Sequence, residues 1–138
     1  MIVLDTNVLS EEMKPAPASA VHQWLLRQRA QDLYTTAITE AEILFGIALL
    51  PGGKRRRALE AAARSVLGLF AGRTLPFDSG ASRDFVDIII GRRRLGRPIE
   101  TFDAQIAAIV RSRGMTLATR DEQDFSDCGV PLVNPWRP

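Results

Sequence analysis

A chain of 138 residues with 46% hydrophobic content is long enough to bury one sizeable core and too short for two ordinary domains, so a single domain over residues 1–138 is expected. The lone Cys128 excludes an internal disulfide and a Cys-rich metal centre, Met1 runs straight into Ile-Val-Leu-Asp with no leader pattern, and no run of about 18 apolar residues occurs, so the chain reads as cytoplasmic with no membrane partner. A net charge of +2 argues against a nucleic-acid coat protein, yet all the basic residues except Lys14 and Lys54 are arginines, and two clusters, Arg55 to Arg57 and Arg92 to Arg94 with Arg97, carry forked donors suited to phosphate or simply to a solvated face.

In chain order, Ile2 to Leu4 is a uniformly apolar run suited to a strand buried on both faces. Asp5, Thr6 and Asn7 begin a turn into a short helix ended by Lys14-Pro15-Ala16-Pro17. Ser19 to Arg29 carries Val21, Trp24, Leu25 and Gln28 at helical spacing, and Leu33 to Ala37 reads as a second strand. A helix is predicted from Thr39 to Leu49, stopped by Pro51-Gly52-Gly53, and another from Arg55 to Phe70 with a core stripe of Leu59, Ala62, Ala63, Val66, Leu67 and Phe70. Thr74 to Phe77 is a brief strand, Ser79 to Arg92 a helix and Gly96-Arg97-Pro98 a loop. A helix from Thr101 to Arg113 ends at the cap residue Gly114, and Met115 to Thr119 and Val130 to Val133 complete the strands.

Strands alternating with helices imply right-handed crossovers, hence an α/β fold of three layers with a mostly parallel, roughly five-stranded sheet. Ligands of such sheets collect beyond the carboxyl ends of the strands, where the strand order reverses. Asp5 and Asp121 each follow a predicted strand there. Two carboxylates converging in one crevice repel each other, and a divalent cation is the simplest thing that makes them compatible.

Each acid also has a structural reading. Glu42 stands three residues after Thr39, as in a capping box, Asp103 lies in the first turn of its helix, and Asp121 and Asp5 are placed to cap short turns. The helical faces weigh the other way. Glu42 is in line with Phe45, Gly46 and Leu49, and Asp103 with Ile106, Ala107 and Val110, so both acids end rows expected to turn inward, where an unpaired carboxylate is costly. No lysine is near, and His22, the only histidine, fits a surface or half-buried position on its own helix. An oxygen-only site suits Mg²⁺, with Mn²⁺ able to substitute.

The sequence resembles PIN-domain nucleases of the VapC and FitB toxin kind over essentially its whole length. The segments that carry this are I-V-L-D-T-N at Ile2 to Asn7, A-I-T-E-A-E-I-L-F-G at Ala37 to Gly46, D-A-Q-I-A-A at Asp103 to Ala108, and A-T-R-D-E-Q-D-F at Ala118 to Phe125. The resemblance implies a PIN-like fold with metal-binding and catalytic acids at Asp5, Glu42, Asp103 and Asp121, and with Thr6 and Asn7 supporting the first acid. Where many relatives have T-R-N-x-x-D-F this chain has Asp at both positions. Either can then supply the fourth carboxylate; Asp121 is preferred because it is closer to the strand end, with Asp124 as second choice.

The resemblance further implies Mg²⁺-dependent hydrolysis of RNA phosphodiesters, with Arg92, Arg93, Arg94 and Arg97 as candidate phosphate contacts. It implies the toxin half of a type II toxin–antitoxin pair, a cognate antitoxin partner, self-association as a homodimer or larger assembly through a helix beside the crevice, and contact with DNA only through the antitoxin. Apolar surface for the antitoxin is expected from Ser10 to Leu26, with Met13, Pro15, Pro17, Val21, Trp24 and Leu25, and from the Thr39 to Leu50 helix, although Trp24 and Leu25 suit the core better and Met13 suits either. One alternative is a catalytically secondary scaffold acting with its antitoxin in DNA-binding autorepression. Another is an aspartyl-nucleophile phosphatase, disfavoured because Asn7 stands where that motif needs a second Asp and because no site lysine is available.

Overall fold

The computed structural model describes residues 1–138. Its sheet consists of β1 (Ile2–Leu4), β2 (Leu33–Thr36), β3 (Thr74–Leu75), β4 (Thr116–Ala118) and β5 (Leu132–Val133), all paired in parallel in the order β3-β2-β1-β4-β5. β1 is central. The chain steps outward from β1 through β2 to β3 and then returns to lay β4 and β5 on the other side, so the strand order reverses at the β1/β4 boundary. There Val3 pairs with Leu117 and Leu4 with Ala118.

The helices are α1 (Thr6–Glu12), α2 (Ser19–Leu26), α3 (Ala37–Ala48), α4 (Lys54–Gly68), α5 (Ser79–Arg94) and α6 (Thr101–Ser112). Because successive strand residues point to opposite faces, β1 and β4 serve two cores. Val3 and Leu117 join Ile88 of α5 and Ala104, Ile106 and Val110 of α6 in one. Leu4 and Ala118 join Val8, Leu9, Val21, Trp24, Ile43, Ile47 and Phe70 in the other, from the side of α1 to α4. Three layers and a parallel sheet result, as the alternating pattern predicts.

Four details differ from the sequence reading. First, α3 begins at Ala37, two residues early, because the Thr36 hydroxyl accepts from the Thr39 N–H at 3.0 Å. Thr39 is thus a fully buried residue inside the first turn and not the cap, so Thr39 and Glu42 form no capping box. Second, the inward face of α3 is Thr39, Ile43 and Ile47, while Phe45 and Leu49 are 62% and 70% exposed. Glu42 therefore does not end a core row; it stands one position round the helix, at the edge facing α1. Third, α2 stops at Leu26, short of Arg29, and a 3₁₀ turn at Ala30–Asp32 leads into β2. Fourth, of the predicted α4 stripe only Ala63 and Phe70 are fully buried, since α4 packs outside α3 and its Leu59, Val66 and Leu67 close the margin of the core.

Candidate active site

Asp5 lies one residue past β1, where its N–H still donates to Ala118 O at 2.9 Å, so the sheet itself delivers the carboxylate to the β1/β4 boundary. The side chain is only 4% exposed. Its Oδ1 accepts from the Thr6 N–H at 2.8 Å, and its Oδ2 accepts from the Thr119 hydroxyl at 2.7 Å and from Asn7 Nδ2 at 3.2 Å. The same Asn7 amide lies 3.1 Å from Asp121 Oδ2 and 3.2 Å from Thr119 Oγ1, while Thr119 Oγ1 accepts from the Asp121 N–H at 3.0 Å. Asn7 and Thr119 thus tie the acid after β1 to the acid after β4. Asn7 supports Asp5 as expected, but the Thr6 side chain does not: its hydroxyl donates to Glu42 Oε1 at 2.8 Å and stands 3.1 Å from the Thr39 hydroxyl, leaving only its backbone N–H for Asp5.

Asp103 is half-buried in the first turn of α6, above the fully buried Ile106, Ala107 and Val110. The four acids meet in a crevice of about 330 Å³ lined by Asp5, Thr6, Asn7, Ser10, Glu42, Asp103 and Asp121, without one basic side chain. The electrostatic result is a pair of carboxyls that resist ionisation. Asp5 is pushed up to about 6, chiefly by burial and secondarily by the charges of Glu42 and Asp121, against the opposing hydrogen bonds from Thr119 and Thr6. Burial pushes Asp103 up to about 7, with Asp5, Asp124, Glu42 and Glu100 adding repulsion.

Asp124 takes no part in the lining. It borders a separate polar depression with Arg120, Asp121, Glu122, Gln123 and Arg137, close enough to Asp103 to raise its pKa. Asp121 is common to both hollows.

This donor set fits a hard divalent cation: it is oxygen-only and free of basic side chains, and burial together with acidic neighbours raises the pKa of two of its members, Asp5 and Asp103. No group of three acids is closed around a point as they stand. Both Asp5 oxygens already accept hydrogen bonds, so Mg²⁺, which usually keeps several waters and takes one or two carboxylates directly, suits the arrangement better than an all-protein cage.

The basic cluster needs correcting. Arg92 is 5% exposed: its Nε donates to Arg97 O at 2.7 Å and its Nη1 to Asp124 O at 2.8 Å and Ser126 O at 3.0 Å. A guanidinium committed to three backbone carbonyls has no face left for RNA. Arg97 is engaged with Asp127 at 2.8 Å and with the Ser126 hydroxyl, whereas Arg93 and Arg94 are exposed on the last turn of α5. Arg92 instead ties the end of α5 to the turn that follows Asp121. Replacing it with Met strands those carbonyls, and we expect a loss of roughly 2–4 kcal/mol, visible as a thermal midpoint lower by about 5–10 °C; an unchanged midpoint would show that water replaces the guanidinium. Sequence reasoning missed Thr119, although a hydroxyl ending an apolar strand beside a candidate ligand was a usable signal.

A parallel sheet with acids gathered past the carboxyl ends of β1 and β4 matches a known family. The PIN domain model matches residues 2–130, and the chain belongs to the PIN-domain family. It is 44% identical to the VapC ribonuclease Y4jK of Sinorhizobium fredii, over 100% of this chain and 99% of that protein, and 42% identical to the toxin FitB of Neisseria gonorrhoeae, over 99% of each. Among solved structures, FitAB bound to an IR36 DNA fragment superimposes with a TM-score of 0.91 at 42% identity, covering 100% of this chain and 97% of that one.

Proposed function

We propose that the protein is a Mg²⁺-dependent endoribonuclease and the toxin of a type II toxin–antitoxin module. The observation that carries the reading is the convergence of Asp5, Glu42, Asp103 and Asp121 on one crevice free of basic groups. The 44% identity to a VapC ribonuclease over the full chain supports the RNA substrate.

Asp5, Asp103 and Asp121 would hold the cation, which when bound acidifies water and neutralises charge on the phosphate. Glu42, half-buried and oriented by the Thr6 hydroxyl, would orient the attacking water or complete the coordination shell. Asn7 and Thr119 tie Asp5 to Asp121, and binding would draw the acids in around the cation from there. The test is incubation of the purified chain with a mixed RNA pool in Mg²⁺ and in EDTA; cleavage that persists in EDTA, or its absence in Mg²⁺ and in Mn²⁺, would overturn the reading.

For the fourth acid we expect Asp121→Asn to weaken Mn²⁺ binding by about tenfold or more and Asp124→Asn to change it little, measured by calorimetry. The reverse order would make Asp124 the ligand and Asp121 a turn residue.

A groove of about 670 Å³ runs from Thr6, Ser10 and Glu42 between α1, α3 and α4, past Met13, Pro15, Ile43, Ile47 and Leu50. In this reading an antitoxin segment lies there and sends a basic side chain, most simply an arginine, into the acids. Val21 and Trp24 are core residues and contribute nothing to it. Exposed Val86, Ile90 and Leu95 of α5 and its end, with Phe102 of α6, offer apolar surface for a homodimer. The DNA held by FitAB supports a second role in autorepression, reached through the antitoxin. No helix is long and apolar enough to cross a membrane, in keeping with a cytoplasmic site of action.

A further inference from the structure

Three arginines flank the turn that carries Asp121. Arg92 is buried on backbone carbonyls, and Arg137 is paired with Glu122 at 3.0 Å. Arg120 alone makes no side-chain ion pair or hydrogen bond; its guanidinium carbon lies 4.9 Å from the centroid of the Trp136 ring. Glu11 is near enough for Arg120 to help lower its pKa, but that carboxylate is already held by Lys14 Nζ at 3.1 Å and by the Ala18 N–H at 3.3 Å.

Both halves of this stack are anchored. The Arg120 N–H donates to Asn7 Oδ1 at 3.3 Å, the same side chain whose amide bridges Asp5 and Asp121. Trp136 packs against the core that contains Leu4 and Val8, and its N–H donates to Asn134 Oδ1 at 3.0 Å, while Asn134 Nδ2 donates to Glu122 Oε2 at 2.9 Å. A guanidinium placed over an indole ring and making no side-chain hydrogen bond keeps its N–H donors free, and their planar fork matches the oxygens of a phosphodiester. Arg120 borders the polar depression of about 540 Å³ that shares Asp121 with the acidic crevice. A polyanion approaching four carboxylates needs a countercharge beside them, and Arg120 is the unpaired cation fixed to the same framework.

We propose that Arg120, stacked on Trp136, is a binding site for a backbone phosphodiester of single-stranded RNA adjacent to the phosphate at the crevice. This rests on the nuclease reading for its substrate, but it is tested separately from it.

The experiment uses a fluorescein-labelled 12-nucleotide oligouridylate. Its anisotropy is titrated with the full chain in EDTA, and its cleavage kinetics are followed in Mg²⁺. Arg120→Gln should weaken binding and raise KM by roughly tenfold, keep kcat within about twofold, and reduce the salt slope of binding by about one phosphate contact. Trp136→Leu, which removes the platform and keeps the charge, should move KM the same way by a smaller factor. Unchanged binding and KM in Arg120→Gln would overturn the proposal and leave the stack a brace for the chain end. A fall in kcat at constant KM would also overturn it, placing the effect on Asp121, as would failure of the wild-type chain to bind the oligonucleotide. Arg120-dependent binding without Mg²⁺-dependent cleavage would uphold the site and sink the nuclease reading.

Discussion

Replacing Asp5 by Asn should abolish metal-dependent RNA cleavage, by roughly a thousandfold or more, while the folded chain persists with a thermal midpoint within about 3 °C of the wild type. The two effects part because Asp5 holds opposed terms. As a proposed ligand its charge is indispensable, yet as a buried carboxyl that charge is unwelcome, which is why its pKa rises to about 6. Asn keeps the volume and one acceptor for the Thr6 N–H, and the new amide can donate to the Thr119 hydroxyl oxygen if it takes the place of the Asn7 amide there. The donor of Asn7 loses a partner at Asp5 but retains Asp121. Loss of the desolvated charge and loss of hydrogen bonds to it are comparable in size, so stability changes little. A purified Asp5→Asn chain that still cleaves RNA in Mg²⁺ would remove Asp5 from the site, and one that unfolds would mean that its hydrogen bonds outweigh its burial.

The metal-free protein should lose stability as the pH rises from about 5 to 8, by roughly 5 °C in midpoint. Asp5 and Asp103 both have folded pKa values above their usual one near 3.8, at about 6 and about 7. The native state therefore holds their protons more tightly than the unfolded chain does. Their contribution is fully present below about pH 4 and is withdrawn as the pH passes through 6 and 7, where both acids must ionise in the crevice. Mg²⁺ or Mn²⁺ should offset this, raising the midpoint more at pH 8 than at pH 5, since binding requires the ionised acids. Calorimetric melts in EDTA and in excess Mn²⁺ at both pH values give the comparison, with Asp103→Asn expected to flatten the metal-free slope. A midpoint that rises with pH in EDTA, or a metal effect that is larger at pH 5, would contradict the description of the crevice as a set of mutually repelling acids.

Much of this protein is determined by local sequence. Short apolar runs and period-3.6 patterns with Pro and Gly punctuation fix the alternation of strands and helices, and the handedness of crossovers then requires a parallel sheet with two helical faces. Asp5 and Asp121 were legible as crevice acids because each directly follows a strand, and strand ends are positions that topology alone places together. Asp103 was legible from the apolar row beneath it, all of which proves buried.

Other features depend on which residues far apart in sequence come into contact. Glu42 enters the site although the row behind it is exposed, because α1 brings Thr6 against α3 across 36 positions of sequence. The role of Thr119 follows from β1 lying beside β4, which sets its hydroxyl 2.7 Å from Asp5. Arg92 and Arg120 look alike in a sequence, as arginines near charged turns, yet one is buried among carbonyls and the other is held on an indole face near the crevice. Periodicity determines which face of an element is apolar; only the packing of elements against one another decides whether a polar side chain at the edge of that face meets solvent, a carbonyl or another acid.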